Sequence, residues 1–529
     1  MAEEDLIFGK HRHMFGGIEP SNMQGFRAMR KGSPVRIQAT LPNDTVIDGQ
    51  TLCTVAGAVI RRKTSGYPLD EFDGEKIADI TESGIVADIS ADPEATYYYA
   101  AFPYTTQGVY NRNPANRFKY EPVGNYYLFG YDLDTNNSDP STRVTYPSDV
   151  DNAAYTPAHM DFTKGVFEYG GWPNTPGDGF MPKPCMLKFD GTVEYYLNPN
   201  NYEQKANGDA AIINATNTTS NAMMEWPKIY THRELVNGIY KFRCSNTKVA
   251  NDWECWCNYD VNNKQIDHFY TSIYQGYNTG DNAHFHMRSV ARTKYNEKGH
   301  AWIGTYFNNY FNGAKANGDD WNMEQLCDIL LIQDLLVLMA KTTDCQTAYG
   351  TGVVKKQASL SNFNDKGLFY AINGMASTDW AYPVKVFGME SFWGDYGRLI
   401  VGWINDNGTH KVKLTPGTHD GSTVSTYNST GDGYITVPDV VITARGGGYV
   451  SGFKIMPYGR IPYEYNGSSS TYECDYVDVN YEDVYPAAVG RGVVSWNPDG
   501  MHTGPFRACL NQTSTYTEYT ARLSCKPRA

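Results

Sequence analysis

The sequence has no apolar run long enough to cross a lipid bilayer. Its longest such stretch, Ile329 to Ala340, is interrupted by Gln333 and Asp334, and it is shorter than the roughly 20 residues that a membrane-spanning helix needs. The first residues, Met1 to Phe8, are acidic and lack the apolar core of a signal peptide. These features predict a protein without membrane insertion that stays in the cytoplasm of the producing cell or leaves it by lysis.

Basic residues are also in short supply. The chain has 45 Lys and Arg against 58 Asp and Glu, which gives a formal net charge of -13. Nucleic-acid-binding proteins draw much of their affinity from clustered Lys and Arg, so a nucleic-acid partner is not expected. The basic run from Arg61 to Lys63 is too short to form such a patch, and we interpret it as a solvated strand edge or turn.

The ten cysteines show no regular paired spacing, unlike the disulfide framework of a small secreted domain. Cys255-Trp256-Cys257 has the spacing of half a metal site, but no second pair matches it in the sequence. Its alternation with aromatic residues is also typical of a buried strand. We therefore interpret the cysteines, including Cys509 and Cys525, as small buried apolar side chains, and we expect no metal and no cofactor.

Common catalytic signatures are missing. The sequence has no G-x-S-x-G, no H-E-x-x-H, and no glycine-rich loop that ends in Gly-Lys-Ser or Gly-Lys-Thr. The run from Asp132 to Asp139 begins like a calcium loop, but Pro140 and Arg143 stand where an EF-hand loop needs ligands, which favours a turn-rich surface loop. His284 and His286 would share one face of a strand and resemble two zinc ligands. No third ligand is evident, so hydrogen-bonded histidines are the preferred interpretation.

Four carboxylates lie among tyrosines near the C-terminus. They are Glu473, Asp475, Asp478 and Asp483, interspersed with Tyr472, Tyr476, Tyr481 and Tyr485. Aromatic rings stack on sugar faces and carboxylates bind sugar hydroxyls, and a glycosidase uses the same groups at a fixed separation. The alternative, which we favour over catalysis, is an acidic and solvated face of a β-sheet.

Tyrosine and glycine are abundant, with 41 Tyr and 50 Gly, and both favour β structure with many turns. Alternating patterns predict strands at Val35 to Ala39, Leu52 to Arg61, Val86 to Ile89, Thr96 to Tyr104, Val166 to Glu168, Thr192 to Leu197, Gly238 to Cys244 and Ile266 to Tyr274. Hairpin turns are expected at Asn373-Gly374, Asn407-Gly408, Asp420-Gly421 and Asp432-Gly433. Helical periodicity from Trp321 to Lys341 predicts one helix with one buried face.

The chain is therefore expected to have a β-rich α+β fold in three parts. Residues 1–32 have an irregular pattern broken by glycines, which indicates an N-terminal attachment arm. Residues 33–122 read as a small β-sandwich, and residues 123–529 read as one large module with a ligand-binding face near 446–527.

The sandwich segment resembles a fibronectin type III domain. The resemblance lies in Ala58-Val-Ile-Arg-Arg-Lys63, Gly66-Tyr67-Pro68, and the run from Ala95 to Phe102 that contains Thr96-Tyr97-Tyr98-Tyr99. In that family a Thr-Tyr-x-Tyr run forms a central strand, and its tyrosine closes one end of the sandwich.

The C-terminal segment resembles the C-type-lectin-like domain of phage tail tip and tail fibre proteins, a fold related to the formylglycine-generating enzymes. The resemblance is carried by the run from Ala488 to Phe506 and by Ala521 to Cys525, and looser matches span most of residues 123–529. It implies scaffold roles for Trp496, Phe506 and Arg522. The enzymes' closely spaced copper-binding cysteines are not matched, because Cys509 and Cys525 are too far apart in sequence.

In the adhesin members of that family, variable residues on the C-terminal face contact the ligand. By position, the corresponding candidates are Asn497, Asp499, Met501, His502, Arg507, Asn511, Thr515, Tyr516, Glu518 and Tyr519. Asn, Thr and Tyr are also typical of adaptable binding surfaces, because Tyr supplies contact area at a low cost in conformational entropy.

The resemblance implies a phage virion protein of the tail tip or fibre that binds a bacterial surface receptor, either a glycan or a protein, and that is not an enzyme. Other tail proteins would bind the N-terminal arm, and a homotrimer is expected from the family. One alternative is a virion polysaccharide depolymerase that uses carboxylates such as Asp475 and Asp478. The other is a purely structural tail or baseplate component.

Overall fold

The computed structural model has 45% strand and 8% helix, which confirms the expected β-rich fold class. The structure describes residues 18–30, 35–47, 49–92, 95–121, 127–281, 284–291, 307–352, 363–371, 384–394, 396–414, 434–441, 446–479, 484–489, 504–506, 508–510 and 519–529. The chain divides into two compact units. Unit 1 comprises Met1–Leu128 and Ser148–Ala153, and unit 2 comprises Phe129–Pro147 and Ala154–Ala529.

Unit 1 contains two antiparallel sheets. Its strands are β1 (Gly25–Arg30), β2 (Val35–Thr40), β3 (Thr45–Ile47), β4 (Gln50–Cys53), β5 (Val55–Lys63), β6 (Glu75–Ile80), β7 (Gly84–Asp88), β8 (Tyr97–Thr105) and β9 (Arg117–Tyr120), with a 3-10 turn at Pro114–Asn116. One sheet has the order β1-β2-β7 and the other β6-β5-β8-β9, while β3 and β4 pair as a hairpin. Side chains from both sheets, such as Ile37 and Tyr99, share one buried core. The predicted β-sandwich is therefore present.

Two expectations for unit 1 were wrong in part. The predicted arm of residues 1–32 includes β1, which pairs with β2. Phe26 and Ala28, which are two residues apart on β1, pack against the core. The sequence pattern did not reveal this strand, because glycines lie close to both of its ends. The basic run is not a solvated edge either, because Arg62 lies on the central strand β5 and is buried. Its Nη1 donates to Asp88 on the opposite sheet at 2.8 Å, and a buried carboxylate partner makes a cation tolerable inside the sandwich.

Unit 2 contains the remaining strands. They are β10 (Leu128–Asp134), β11 (Val144–Thr145), β12 (His159–Asp161), β13 (Val166–Glu168), β14 (Lys183–Lys188), β15 (Val193–Asn198), β16 (Asn201–Lys205), β17 (Ser220–Pro227), β18 (Tyr230–Val236), β19 (Ile239–Ser245), β20 (His268–Ser272), β21 (Tyr277–Asn278), β22 (Met287–Arg288), β23 (Trp321–Met323), β24 (Tyr370–Ala371), β25 (Val384–Val386), β26 (Met389–Glu390), β27 (Gly397–Asp406), β28 (Thr409–Val412), β29 (Ile435–Val441), β30 (Gly446–Tyr449), β31 (Gly452–Met456), β32 (Gly459–Glu464), β33 (Tyr476–Val479), β34 (Val484–Val489), β35 (Ala508–Leu510), β36 (Tyr519–Ala521) and β37 (Leu523–Cys525). Its helices are α1 (Phe307–Lys315), α2 (Leu326–Ala340) and α3 (Cys345–Tyr349).

Two large sheets organise unit 2. A seven-stranded sheet has the order β16-β15-β14-β17-β20-β37-β23, and an eight-stranded sheet contains β29-β28-β27-β34-β35-β33-β30 with β36 paired to β27. Smaller sheets are β11-β10-β19-β18 and β24-β25-β26, with the pairs β12-β13, β21-β22 and β31-β32. Buried side chains from β14, β20, β27, β36 and β37 and from α1 form one apolar core. The last strand, β37, thus lies inside a sheet, where it holds the end of the chain against this core.

The predicted helix is present, but its bounds and its environment differ from the expectation. Trp321–Met323 is a strand paired with β37, and α2 begins at Leu326. Every residue of α2 is buried, including its polar positions Asp328, Gln333 and Asp334. A helix needs a solvated face only where its polar side chains lack hydrogen-bond partners inside the protein. Each of these three side chains has such an internal partner.

Most turn and strand predictions agree with the structure where it describes the residues. However, the segment Leu52 to Arg61 is divided between β4 and β5, and the expectation of a buried strand at Cys255–Cys257 is wrong, because Trp256 and Cys257 lie in a turn. Asn407 and Gly408 both have positive φ, at 49° and 86°, as a tight hairpin between β27 and β28 requires. The other three hairpin dipeptides lie outside the described residues. None of the helices in the described part of the chain has the length and apolar character needed to cross a membrane.

Candidate functional site

Nine of the ten predicted ligand-contact residues lie outside the described residues: Asn497, Asp499, Met501, His502, Arg507, Asn511, Thr515, Tyr516 and Glu518. The tenth, Tyr519, is only 3% exposed, and its ring belongs to the apolar core of unit 2. The prediction for Tyr519 as a contact residue is therefore wrong. All three residues of β36 are buried, so neither face of this strand presents a side chain to solvent.

The strands that flank the predicted contact segments, β34, β35 and β36, pair within the eight-stranded sheet of unit 2. Strand β35 lies between β34 and β33, antiparallel to the first and parallel to the second. Strand β36 runs parallel to β27, and the Tyr310 hydroxyl donates to the Tyr519 carbonyl at 2.8 Å. Residues 490–503 and 511–518 are thus each bounded by segments that hydrogen-bond to the interior of unit 2.

A buried anchor lies at Gly504–Phe506, directly after the first contact segment. Asp475 Oδ2 accepts the Phe506 N–H at 2.8 Å, and Asp475 Oδ1 accepts Gln346 Nε2 at 2.9 Å. Gln333 Nε2, on α2, donates to the Pro505 carbonyl at 2.8 Å. A Cβ on Gly504 would lie 2.4 Å from Asp475 Oδ1, so the close approach of backbone and carboxylate requires glycine at this position.

Phe506 and Arg522, the described residues for which the resemblance implies a scaffold role, are buried. The Phe506 ring lies edge-on to Phe453, with ring centroids 5.7 Å apart. Arg522 Nη1 donates to the Ser272 carbonyl at 3.1 Å and Arg522 Nη2 to the Ser391 carbonyl at 3.0 Å, so this side chain joins β20 to the segment that follows β26. Trp496 lies outside the described residues.

A network of buried charges lies beside this anchor and is centred on Asp334 of α2. Arg233 Nε donates to Asp334 Oδ2 at 2.8 Å, and Arg460 Nε donates to Asp334 Oδ1 at 3.2 Å. The hydroxyls of Tyr131 and Tyr240 also donate to this carboxylate, at 2.8 Å and 3.2 Å. One carboxylate therefore receives donors from β10, β18, β19 and β32, and it joins these strands to the helix.

Glu473 continues the network toward the C-terminal segment. Its Oε1 accepts Arg460 Nη1 at 3.1 Å and its Oε2 accepts Arg143 Nη1 at 3.2 Å. The Arg460 guanidinium also lies 4.7 Å from the Phe506 ring centroid, a distance at which a cation is attracted by an aromatic face. The charge network and the anchor at Gly504–Phe506 are therefore in direct contact.

The sequence interpretation of the acidic residues as a solvated sheet face is wrong for Glu473 and Asp475. Both side chains are 1% exposed, because both oxygens of each carboxylate have internal donors. Asp478 lies on β33, opposite Gly447 of β30, and Asp483 lies outside the described residues. Period-two alternation alone could not show that two of these acids face buried guanidinium and amide groups.

Electrostatics fix the protonation of the network. Burial acts to lower the pKa of Arg460, but the nearby Tyr131, Asp334, Glu473 and Tyr240 outweigh it and raise the pKa. Burial raises the pKa of the Tyr131 phenol well above its ordinary value. The arginine therefore stays charged and the phenol stays a hydrogen-bond donor at neutral pH.

Asp475 has a different environment. Burial raises the pKa of this carboxyl well above its ordinary range, while the bonds from Phe506 N–H and Gln346 act in the opposite direction. A catalytic acid must contact its substrate, whereas Asp475 is enclosed and its oxygens are bonded to the anchor. Its geometry suits the positioning of a loop.

The other sequence candidates have ordinary roles. His284 interacts with Asp281, and His286 Nε2 lies 3.0 Å from Asn317 Oδ1, so the two imidazoles do not share a strand face. Asp139 Oδ1 accepts the Ser141 N–H at 2.9 Å, as in a turn capped by its own side chain. The nine cysteines whose side chains the structure describes are free and buried, as predicted.

His410 makes the stability of the eight-stranded sheet sensitive to acid. Burial lowers the pKa of His410 to about 4 from 6.5, and Trp403 Nε1 donates to its Nδ1 at 3.2 Å. Between these pH values His410 binds a proton in the unfolded chain but not in the folded chain. The free energy of unfolding therefore falls as the pH falls from 6.5 to 4. We expect the wild type to lose about 3 kcal/mol more over this window than His410→Gln, in line with 1.36 kcal/mol per pKa unit.

This difference can be measured by urea unfolding at several pH values. All ten tryptophans of the chain lie in unit 2, so their fluorescence reports on that unit alone. Equal pH slopes for the wild type and His410→Gln would show that His410 is not the group responsible.

No protein-family model matches the chain, and a search of curated proteins found no match to it. The assignment of function therefore rests on the residues and the geometry of the chain itself.

Proposed function

We propose that this protein is a phage virion adhesin of the tail tip or fibre that binds a bacterial surface receptor through residues 490–503 and 511–518. The observation that carries the proposal is the buried anchor at Gly504–Phe506. There Asp475 and Gln333 hold the backbone that separates the two contact segments. A fixed framework that bounds segments with several polar side chains is the arrangement by which binding proteins place adaptable residues on a rigid scaffold.

The C-type-lectin-like assignment of unit 2 belongs to this proposal. The burial of Phe506 and Arg522 supports it, since the resemblance gives both residues a scaffold role. The location of β37 inside the seven-stranded sheet also fits a module whose C-terminal segment is part of its core.

Unit 1 is proposed to be a fibronectin type III-like spacer. Its seven sandwich strands form sheets of three and four, and β8 is central in its sheet. The Tyr97 hydroxyl, at the start of β8, accepts the Asp92 N–H at 3.0 Å. A tyrosine that bonds the backbone a few residues upstream, at the corner before this strand, is a feature of immunoglobulin-like sandwiches.

Several copies on one virion would make weak single sites sufficient. Multivalent attachment raises overall avidity by about two to four orders of magnitude without any new contact. We propose a homotrimer attached to other tail proteins through the residues that precede β1.

Binding to host cells tests the proposal. The full-length protein, fluorescently labelled, is titrated onto candidate host bacteria and onto unrelated bacteria. We expect saturable binding to the host, reduced at least about tenfold, or 1.4 kcal/mol, by the combined change Asn497→Ala, His502→Ala and Thr515→Ala. The matched control, Asn207→Ala with Asp209→Ala, changes exposed polar residues after β16 and should leave binding unchanged.

Two other results would change the assignment. Absence of binding to every host strain that the phage infects would favour a purely structural tail component. Shortened host polysaccharide after incubation would favour a depolymerase, although the internal bonds of Asp475 do not support that residue as its acid or base.

A further inference from the structure

The structure brings together three side chains that carry metal-ligand atoms. The Sγ atoms of Cys257 and Cys327 and a carboxylate oxygen of Asp328 all lie within 4.8 Å of one another, and all three residues are buried. In the sequence, Cys257 belongs to a C-x-C pair without a matching second pair. The other two members of the group, Cys327 and Asp328, lie at the start of α2, and Cys327 is 70 residues further along the chain than Cys257.

One distance between ligand atoms of the group equals that expected in a tetrahedral zinc site. Cys327 Sγ lies 3.5 Å from Asp328 Oδ1. A tetrahedral ion with Zn–S of about 2.3 Å and Zn–O of about 2.0 Å separates sulfur and oxygen by about 3.5 Å. The Cys257 thiol donates to the Cys327 carbonyl at 3.2 Å, which holds the loop that carries Cys257 against the first turn of α2.

A lysine and a serine already bind the carboxylate of this group. Lys526 Nζ lies 2.9 Å from Asp328 Oδ1 and 3.4 Å from Cys327 Sγ. Ser524 Oγ donates to Asp328 Oδ2 at 3.0 Å. Each carboxylate oxygen has two lone pairs, so Oδ1 can bind a metal ion while it keeps Lys526, and Ser524 and Lys526 then orient the ligand from outside, as partners of metal-binding carboxylates do.

Asn258, which follows Cys257 in the chain, is fully buried, and neither its Nδ2 nor its Oδ1 has a hydrogen-bond partner among the described residues. A wholly unsatisfied buried amide is rare in folded proteins.

We propose that Cys257, Cys327 and Asp328 bind one divalent zinc-class ion, which ties the loop after β19 to the start of α2. Thiolates and one carboxylate favour zinc over magnesium or calcium, which prefer oxygen ligands alone. The charges balance, because two thiols release two protons when the dication binds. The net charge of the buried group is then the same with and without the ion.

Because the group is buried, the ion is expected to enter during folding. The full-length protein is therefore produced in zinc-supplemented medium, passed over a metal-free desalting column, and analysed for metal by mass spectrometry. We expect about one zinc per chain in the wild type, the occupancy of one structural site, and loss of that zinc in Cys257→Ser and Cys327→Ser. The matched control Cys185→Ser changes another fully buried cysteine outside the group and should retain the zinc.

Production with cobalt in place of zinc gives a second measurement that does not depend on a variant folding. Bound Co²⁺ with thiolate ligands shows a sulfur-to-metal charge-transfer band and the visible bands of tetrahedral geometry. Wild-type protein with neither stoichiometric zinc nor this spectrum would overturn the proposal, as would zinc that remains in both serine variants. Neither metal measurement depends on receptor binding, so the zinc site is tested independently of the adhesin proposal.

Discussion

Asp334→Asn is expected to lower the free energy of unfolding of unit 2 by about 3–5 kcal/mol, the usual cost of breaking a buried ion pair by removal of one partner. The amide keeps the volume of the carboxylate, so no cavity forms. It removes the charge that Arg233 and Arg460 share and leaves two buried guanidinium groups with less compensation. The hydroxyls of Tyr131 and Tyr240 also lose their anionic acceptor.

Urea unfolding followed by tryptophan fluorescence measures this change in unit 2. The matched control is Asp319→Asn, which removes the carboxylate of an exposed pair, 2.9 Å from Arg528 Nη2. Exposed pairs contribute about 0–1 kcal/mol, so the control should unfold close to the wild type. Equal losses in the two variants would mean that the Asp334 network does not hold unit 2 together.

Asp475→Ala is expected to weaken receptor binding at least about tenfold, because the backbone at Gly504–Phe506 must then be fixed on binding at a cost above about 1.4 kcal/mol. The substitution removes the acceptor of the Phe506 N–H and of Gln346 Nε2. The backbone between the two contact segments then keeps only its bond from Gln333 among the side-chain bonds described above. Cell-binding titrations of folded protein, checked by circular dichroism, provide the measurement.

The control for this prediction is Asp190→Ala. Asp190 Oδ1 accepts the Thr192 N–H at 2.9 Å in the turn between β14 and β15, and loss of such a bond costs about 1 kcal/mol without changing any residue bonded to Gly504–Phe506. Asp190→Ala should therefore lose stability but keep its affinity. If both variants bind in proportion to their folded fraction, Asp475 has no positioning role.

Local patterns were enough to predict many strands. Val166–Glu168 is a strand with the predicted bounds, and β2 and β8 agree with the prediction to within a residue or two. Strand β2 alternates apolar and polar side chains, as a strand with one buried face requires, and β8 is rich in the aromatic residues that favour strands. The Asn407-Gly408 hairpin was predictable for a similar reason, since its conformation depends on the two turn residues themselves.

The environment of polar residues was not predictable in this way. Helix α2 has acids and an amide at positions that look solvated, yet Asp328, Gln333 and Asp334 are bonded to Lys526, Pro505 and Arg460. Each partner lies more than a hundred residues away in the sequence. The same is true of Glu473, whose partner Arg143 was noted in the sequence only as a residue that does not suit a calcium loop.

The sequence by itself determined the β-rich class, the two-sheet segment in unit 1 and the burial of its cysteines, because these depend on local alternation, turn chemistry and composition. Only the tertiary structure decided which acids are internal, that Tyr519 is part of the core, that Gly504–Phe506 is an anchor, and that Cys257 meets Cys327 and Asp328. These depend on which distant strands pair, and a carboxylate takes its role from the group that lies opposite it. The spacing of residues along the sequence does not show which group lies opposite a given carboxylate.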